Sequence, residues 1–209
     1  MIFVIRSNLL ELTDPDRALT LLKEGNKRYV ECRFRERSET SEERRLLSEK
    51  GQFPFAVILG CSDSRLPPEI IFDVGLGQIF VVRTAGNVAD AMAIGSVEYA
   101  VEHLKTRLVV VLGHQKCGAV AAAVSGGDFG PNIGAIVSEI EPAIAKVRSD
   151  GADEKSSDFV GKCESESIMN TAAKLAESKI LKELVSEGTL KIRCAKYSFD
   201  TGEVDFFSQ

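Results

Sequence analysis

The sequence predicts an α/β fold: a mostly parallel central sheet of four to five strands flanked by helices, with an N-terminal helical extension and a C-terminal antiparallel strand addition. Three observations predict it. Short apolar runs recur at 54–60, 78–86 and 107–114 without the polar alternation of a half-solvated strand. Stretches with helical spacing separate them, and the last twenty residues carry two β-rich runs around a turn.

In chain order, DPDRALTLLKEGNKRYVECRF (14–34) places Ala18, Leu21, Leu22, Tyr29 and Val30 at helical spacing, with Asp14 as cap before Pro15. SEERRLLSEKG (41–51) is a polar helix stopped by Gly51. PFAVILG (54–60) then reads as a strand buried on both faces, and QIFVVRTAG and RLVVVLGH repeat its pattern. Between the last two, AMAIGSVEYAVEHLK (91–105) sets Ile94, Val97, Ala100, Val101 and Leu104 on one helical face. CGAVAAAVSGG, IGAIVSEIEPAIAKVRSD and SIMNTAAKLAESKILKELVSEG add helices, while FGPNI and 149–158 have loop composition. TLKIRCAKYSFDTGEVDFF closes the chain as a hairpin turned at Asp200, Thr201 and Gly202.

A chain of 209 residues with 44% hydrophobic content supports one domain spanning 1–209, comprising a helical arm (1–50) and an α/β core (51–209). The net charge of −5 gives no electrostatic footprint for nucleic acid or an anionic membrane. No run approaches the roughly 18 apolar residues of a membrane span, and Arg6, Asn8 and Glu11 interrupt the opening segment, which lacks a cleavage site. Five widely spaced cysteines suit reduced thiols rather than a disulfide framework, so the expected location is cytoplasmic. Of these, Cys32, Cys163 and Cys194 have no chemical company and are read as structural, and His103 as a solvated helix residue.

The chemistry gathers at strand ends, where open parallel sheets form their crevices. Cys61 ends the first strand, His114 ends the third, and Cys117 follows three residues on where the next helix begins. A helix N-terminus favours the thiolate that zinc requires. A His-x-x-Cys pair alone is a weak signal, since buried cysteines usually only pack. Adding Cys61 makes two thiolates and one imidazole, a set suited to Zn²⁺ with the fourth tetrahedral position open, and an open position points to catalysis. Asp63 and Arg65 stand two and four residues beyond Cys61. A phosphatase-type loop is excluded, because only Ser62, Asp63 and Ser64 separate Cys61 from Arg65 and Asp63 would repel a phosphate dianion. The glycines of GLGQ (75–78) do not sit in the dinucleotide-binding pattern.

CSDSR followed some fifty positions later by GHQKCG resembles the β-class carbonic anhydrases. The resemblance runs through EGNKRY, GQFPFAVILGCSDSRLPPEIIFDVGLGQIFVVRTAGNVA, GSVEYAVEHL, VVVLGHQKCGAV and the terminal FDTGEV, in the order of that family. It implies zinc on Cys61, His114 and Cys117, with Asp63 and Arg65 as the polar dyad of the loop. It implies reversible hydration of CO₂ to bicarbonate by hydroxide generated on the zinc, in a homodimer or higher even homo-oligomer. Gln52, Phe80 and Tyr99 match the plant-type branch, where such residues line the CO₂ pocket partly from the neighbouring subunit. The branch inhibited by bicarbonate carries a tryptophan where this chain has Ile58. The alternative enzyme reading is hydrolysis of carbonyl sulfide or carbon disulfide by the same zinc site; a non-enzymatic alternative is a structural zinc closed by Asp63.

Overall fold

The computed structural model describes residues 14–35 and 40–207, so the opening segment with Arg6, Asn8 and Glu11 lies outside the described residues. Within them, five strands form one sheet: β1 (Ala56–Cys61), β2 (Ile79–Thr84), β3 (Leu108–His114), β4 (Lys191–Tyr197) and β5 (Val204–Phe207). Their spatial order is β2-β1-β3-β4-β5, parallel except for the β4–β5 pair. The helices are α1 (Pro15–Val30), α2 (Ser41–Lys50), α3 (Pro68–Ile71), α4 (Ala91–Glu102), α5 (Gly118–Ser125), α6 (Gly130–Ser149), α7 (Phe159–Glu177) and α8 (Lys179–Ser186). None is long and apolar enough to cross a membrane.

Every residue of β1 and β3 is buried, as continuous apolar text demands of strands covered on both faces. One face carries Ile58, Val110 and Leu112 with Leu22 and Phe72; the other carries Leu59, Val109 and Val111 with Val97, Val101 and Ile168. The second strand-like run behaves differently. Phe80, Val81 and Val82 of β2 are only half-buried, because β2 has a neighbour on one side alone and forms the sheet edge. Two helix boundaries also depart from the sequence expectation. FGPNI opens α6 instead of forming a loop, since Pro131 fits a first helical turn. The helical text of 167–188 starts eight residues earlier, at Phe159, and is divided at Ser178, whose extended backbone separates α7 from α8.

The N-terminal arm is fastened to the C-terminal hairpin. Asp14 and Pro15 start α1 as expected, the Asp14 side chain accepting from the Asp16 amide. Asn26, 6% exposed, donates to the Gly202 carbonyl at 2.9 Å and accepts from the Val204 amide at 2.9 Å. Tyr29 and Tyr197 bring their hydroxyls to 3.0 Å. Asn26→Ala strands buried backbone groups on both sides, and the expected cost is about 2 kcal/mol in urea unfolding. An unchanged midpoint would show that the arm does not depend on this residue.

Candidate metal centre

The chain path decides where the site sits. It leaves β1 for β2 on one side, then crosses back through α4 to β3 on the other, so β1 and β3 flank a topological switch point. Cys61 is the last residue of β1 and His114 the last of β3. Cys117 is the N-cap of α5, so its sulfur sits at the start of that helix. The ligand atoms of Cys61, His114 and Cys117 all lie within 4.8 Å of one another, and the three residues are 5%, 1% and 2% exposed.

The imidazole is already oriented. His114 Nδ1 lies 2.8 Å from the Gln115 carbonyl oxygen, which can only accept, so Nδ1 carries the proton and donates. The lone pair is left on Nε2, which is buried and has no hydrogen-bond partner. Cys61 Sγ accepts from the Gly86 amide at 3.3 Å. Gly86 has φ +71, and a Cβ there would sit 3.0 Å from Ile140 Cδ1 and 3.1 Å from Ala119 Cβ. Only glycine lets this backbone approach the sulfur. The hydrogen bond from Cys117, with backbone amides adding to it, outweighs burial and lowers the Cys61 thiol to about 4. The same shared bond, together with burial, pushes Cys117 up. Two buried sulfurs with one proton between them, facing a bare imidazole nitrogen, are the donor set a borderline divalent cation satisfies.

Asp63 and Arg65 stand beside this cluster. Asp63 Oδ2 is 3.9 Å from His114 Nε2. Arg65 grips Asp63 with a fork, Nε to Oδ1 at 3.0 Å and NH2 to Oδ2 at 2.8 Å, and its amide adds a third bond at 2.9 Å. This fork holds the Asp63 carboxyl down at about 2. The Arg65 guanidinium lies over the Phe199 ring at 4.1 Å, and the same ring meets His114 edge-on at 5.2 Å. Arg83, on the edge strand, donates to the Cys61 carbonyl at 2.9 Å and to the Asp63 carbonyl at 2.6 Å. Neither Phe199 nor Arg83 was singled out by the sequence, although a cation closing an apolar strand was a usable signal.

Gln52, Phe80 and Tyr99 are not gathered at this cluster within the chain. Gln52 precedes the start of β1, while Cys61 ends it, and a six-residue strand spans roughly 20 Å. Gln52 lines a shallow cleft with Arg44, Leu47 and Leu76. Phe80 pairs with Val57 near the same end of the sheet, its ring 6.3 Å from the half-exposed Tyr99. His103 is exposed beside Tyr99, Cys163 and Cys194 are buried, and Cys32 is exposed.

Fold and cluster together define an α/β protein with a cysteine–histidine metal pocket at the sheet's switch point. The carbonic anhydrase family model matches residues 56–204. Carbonic anhydrase 2 of Mycobacterium tuberculosis is 42% identical over 195 residues, covering 91% of each chain, and the carbonic anhydrase of Mycolicibacterium smegmatis is 39% identical over 201 residues, covering 94% of this chain and 95% of that one. The tetrameric β-carbonic anhydrase structures of the ascomycete Sordaria macrospora superpose with a TM-score of 0.73 at 25% identity, over 79% of this chain and 86% of theirs. The chain belongs to the β-class carbonic anhydrases.

The depressed Asp63 carboxyl predicts an acid limb. Its pKa falls on folding, so its contribution to stability is present above the usual carboxylate range and is lost as pH drops from about 4 towards 2. In metal-free protein, Asp63→Asn is expected to flatten the fall in urea midpoint over that interval; an unaltered slope would place the acid sensitivity elsewhere.

Proposed function

We propose that the protein catalyses the reversible hydration of CO₂ to bicarbonate and a proton, with Zn²⁺ held by Cys61, His114 and Cys117. The observation that carries this reading is the meeting of two buried sulfurs and the unpartnered Nε2 of His114. Zinc in such a set supplies a Lewis acid that makes water nucleophilic near neutral pH. Asp63 stays ionised and therefore only accepts, so its carboxylate would accept a hydrogen bond from the attacking hydroxyl and leave an oxygen lone pair free to face the carbon of CO₂. Arg65 prevents that carboxylate from rotating, and Phe199 supports the guanidinium from below. Arg83 holds the backbone of the same loop from the sheet edge. The catalytic unit is the core from residue 51 onward with its arm, and five cysteines without disulfides suit a reducing compartment such as the cytosol.

The substrate pocket is completed by a second copy. Gln52, Phe80 and Tyr99 lie towards the end of the sheet opposite Cys61, and β2 is an apolar edge with unpaired backbone groups outward. A two-fold contact across β2 runs the two edge strands in opposite directions, which carries the partner's Gln52, Phe80 and Tyr99 towards the Cys61 end. In that arrangement the Gln52 amide donates to a CO₂ oxygen, and the two rings form an apolar wall. The tetrameric state of the Sordaria relative is consistent with such a unit.

Three measurements test the proposal. Purified protein is expected to carry about one zinc per chain, with His114→Ala abolishing uptake; a zinc-free wild type ends the reading. Asp63→Asn should keep zinc yet slow CO₂ hydration by about 10²-fold, the scale of losing one positioned hydrogen-bonding group at the reacting atoms. Near-normal turnover would remove that role, and faster turnover of carbonyl sulfide by the same preparation would replace the substrate. Mixed dimers of a Gln52→Ala chain and an Asp63→Asn chain contain one intact composite site, so co-refolding should restore activity that neither variant has alone. No restoration would mean that each chain builds its own pocket.

A further inference from the structure

Cys117 presents two faces to the protein. Its sulfur belongs to the cluster, while its backbone amide is committed to a carboxylate 47 residues away: Glu164 Oε1 accepts from Cys117 N at 2.9 Å. Glu164 lies on α7 and is only 4% exposed, so its charge is almost wholly removed from water. Lys196 of β4 compensates it, with Nζ 2.9 Å from Glu164 Oε2. The remaining donors of that ammonium go to the Gly161 carbonyl at 2.8 Å and Ser165 Oγ at 3.2 Å. Glu164 and Lys196 form part of the wall of a groove of about 810 Å³ that also includes Lys116.

The peptide between Lys116 and Cys117 is held at both ends. Its N–H goes to Glu164, and its carbonyl, that of Lys116, accepts from Arg65 NH2 at 3.4 Å. Lys116 has φ +54, a left-handed conformation that a lysine adopts only when its surroundings enforce it. A relaxed Lys116 would rotate this peptide, turning the Cys117 sulfur away from His114 and withdrawing the carbonyl from Arg65.

We propose that Glu164, neutralised by Lys196, is a positioning residue for the metal centre: through the Lys116–Cys117 peptide it sets the Cys117 thiolate on one side and the Arg65 guanidinium on the other. The inference rests on the zinc reading given above. Its alternative is a buried ion pair that only joins α7 to β4. The two differ in what metal release reports. Outer partners of metal ligands typically change affinity by about 10- to 100-fold when removed, whereas an ion pair that serves only the fold leaves the metal alone.

The test uses zinc-loaded protein and a chromogenic chelator in excess. Glu164→Leu with Lys196→Met removes the pair without leaving a lone buried charge, an exchange that buried pairs commonly tolerate. The expected result is a melting temperature close to wild type, zinc released about 10-fold or more faster, and an altered sulfur-to-metal charge-transfer band after cobalt substitution. Glu164→Met, which removes the acceptor while Lys196 keeps its bonds to Gly161 and Ser165, is measured alongside; if the double variant does not fold, it decides alone. Release and cobalt spectrum equal to wild type in a folded variant overturn the proposal while leaving the zinc reading intact. A wild type that holds no zinc overturns both.

Discussion

The in-register parallel pairing of β1 with β3 is the constraint on which everything at the site depends. Neighbouring strands lie about 4.8 Å apart, so two side chains at adjacent strand ends are at chelating distance before any local adjustment. Leu59 pairs with Val111 and Gly60 with Leu112, which brings Cys61 and His114 out at the same edge of the sheet. A shift of one residue would turn each to the opposite face. The register is guarded by burial: all thirteen residues of the two strands are enclosed, and a Cβ on Gly113 would come within 2.4 Å of Ile168 Cδ1. Core packing and site geometry are therefore one requirement here.

Around that pair, the polar groups are arranged by exclusion. Gln115 takes the proton-bearing nitrogen of His114, Gly86 supplies an amide to the Cys61 sulfur, and Arg65 occupies Asp63. What remains uncommitted is Nε2 and the sulfur lone pairs, all turned to one point. The low dielectric of such a pocket strengthens each of these contacts and makes an unfilled one costly.

Much of this was legible in the sequence where local text carries the physics. Uninterrupted apolar runs marked β1 and β3, and thiols and an imidazole following such runs marked the crevice. The half-burial of β2 was not legible, because an edge strand and a central one can share the text IFVVRT and differ only in their neighbours. Glu164 left no local trace either: KCESES reads as solvated helix, and only the docking of α7 beside β4 reveals that this carboxylate is enclosed while Glu166 is not. Gly86 and Phe199 likewise owe their roles to partners 25 and more residues distant.

The bond from Asn26 to Gly202 and Val204 joins residues 176 and 178 apart, almost the whole chain. During synthesis α1 leaves the ribosome well before the surface that receives Asn26 is made. The apolar side of α1, with Ala18 and Leu22 entirely enclosed in the finished protein, therefore waits exposed until β4 and β5 have been translated. Phe199, which supports Arg65 from the same late segment, arrives on that schedule too, so the crevice acquires its full lining only after the hairpin of β4 and β5 has cleared the ribosome.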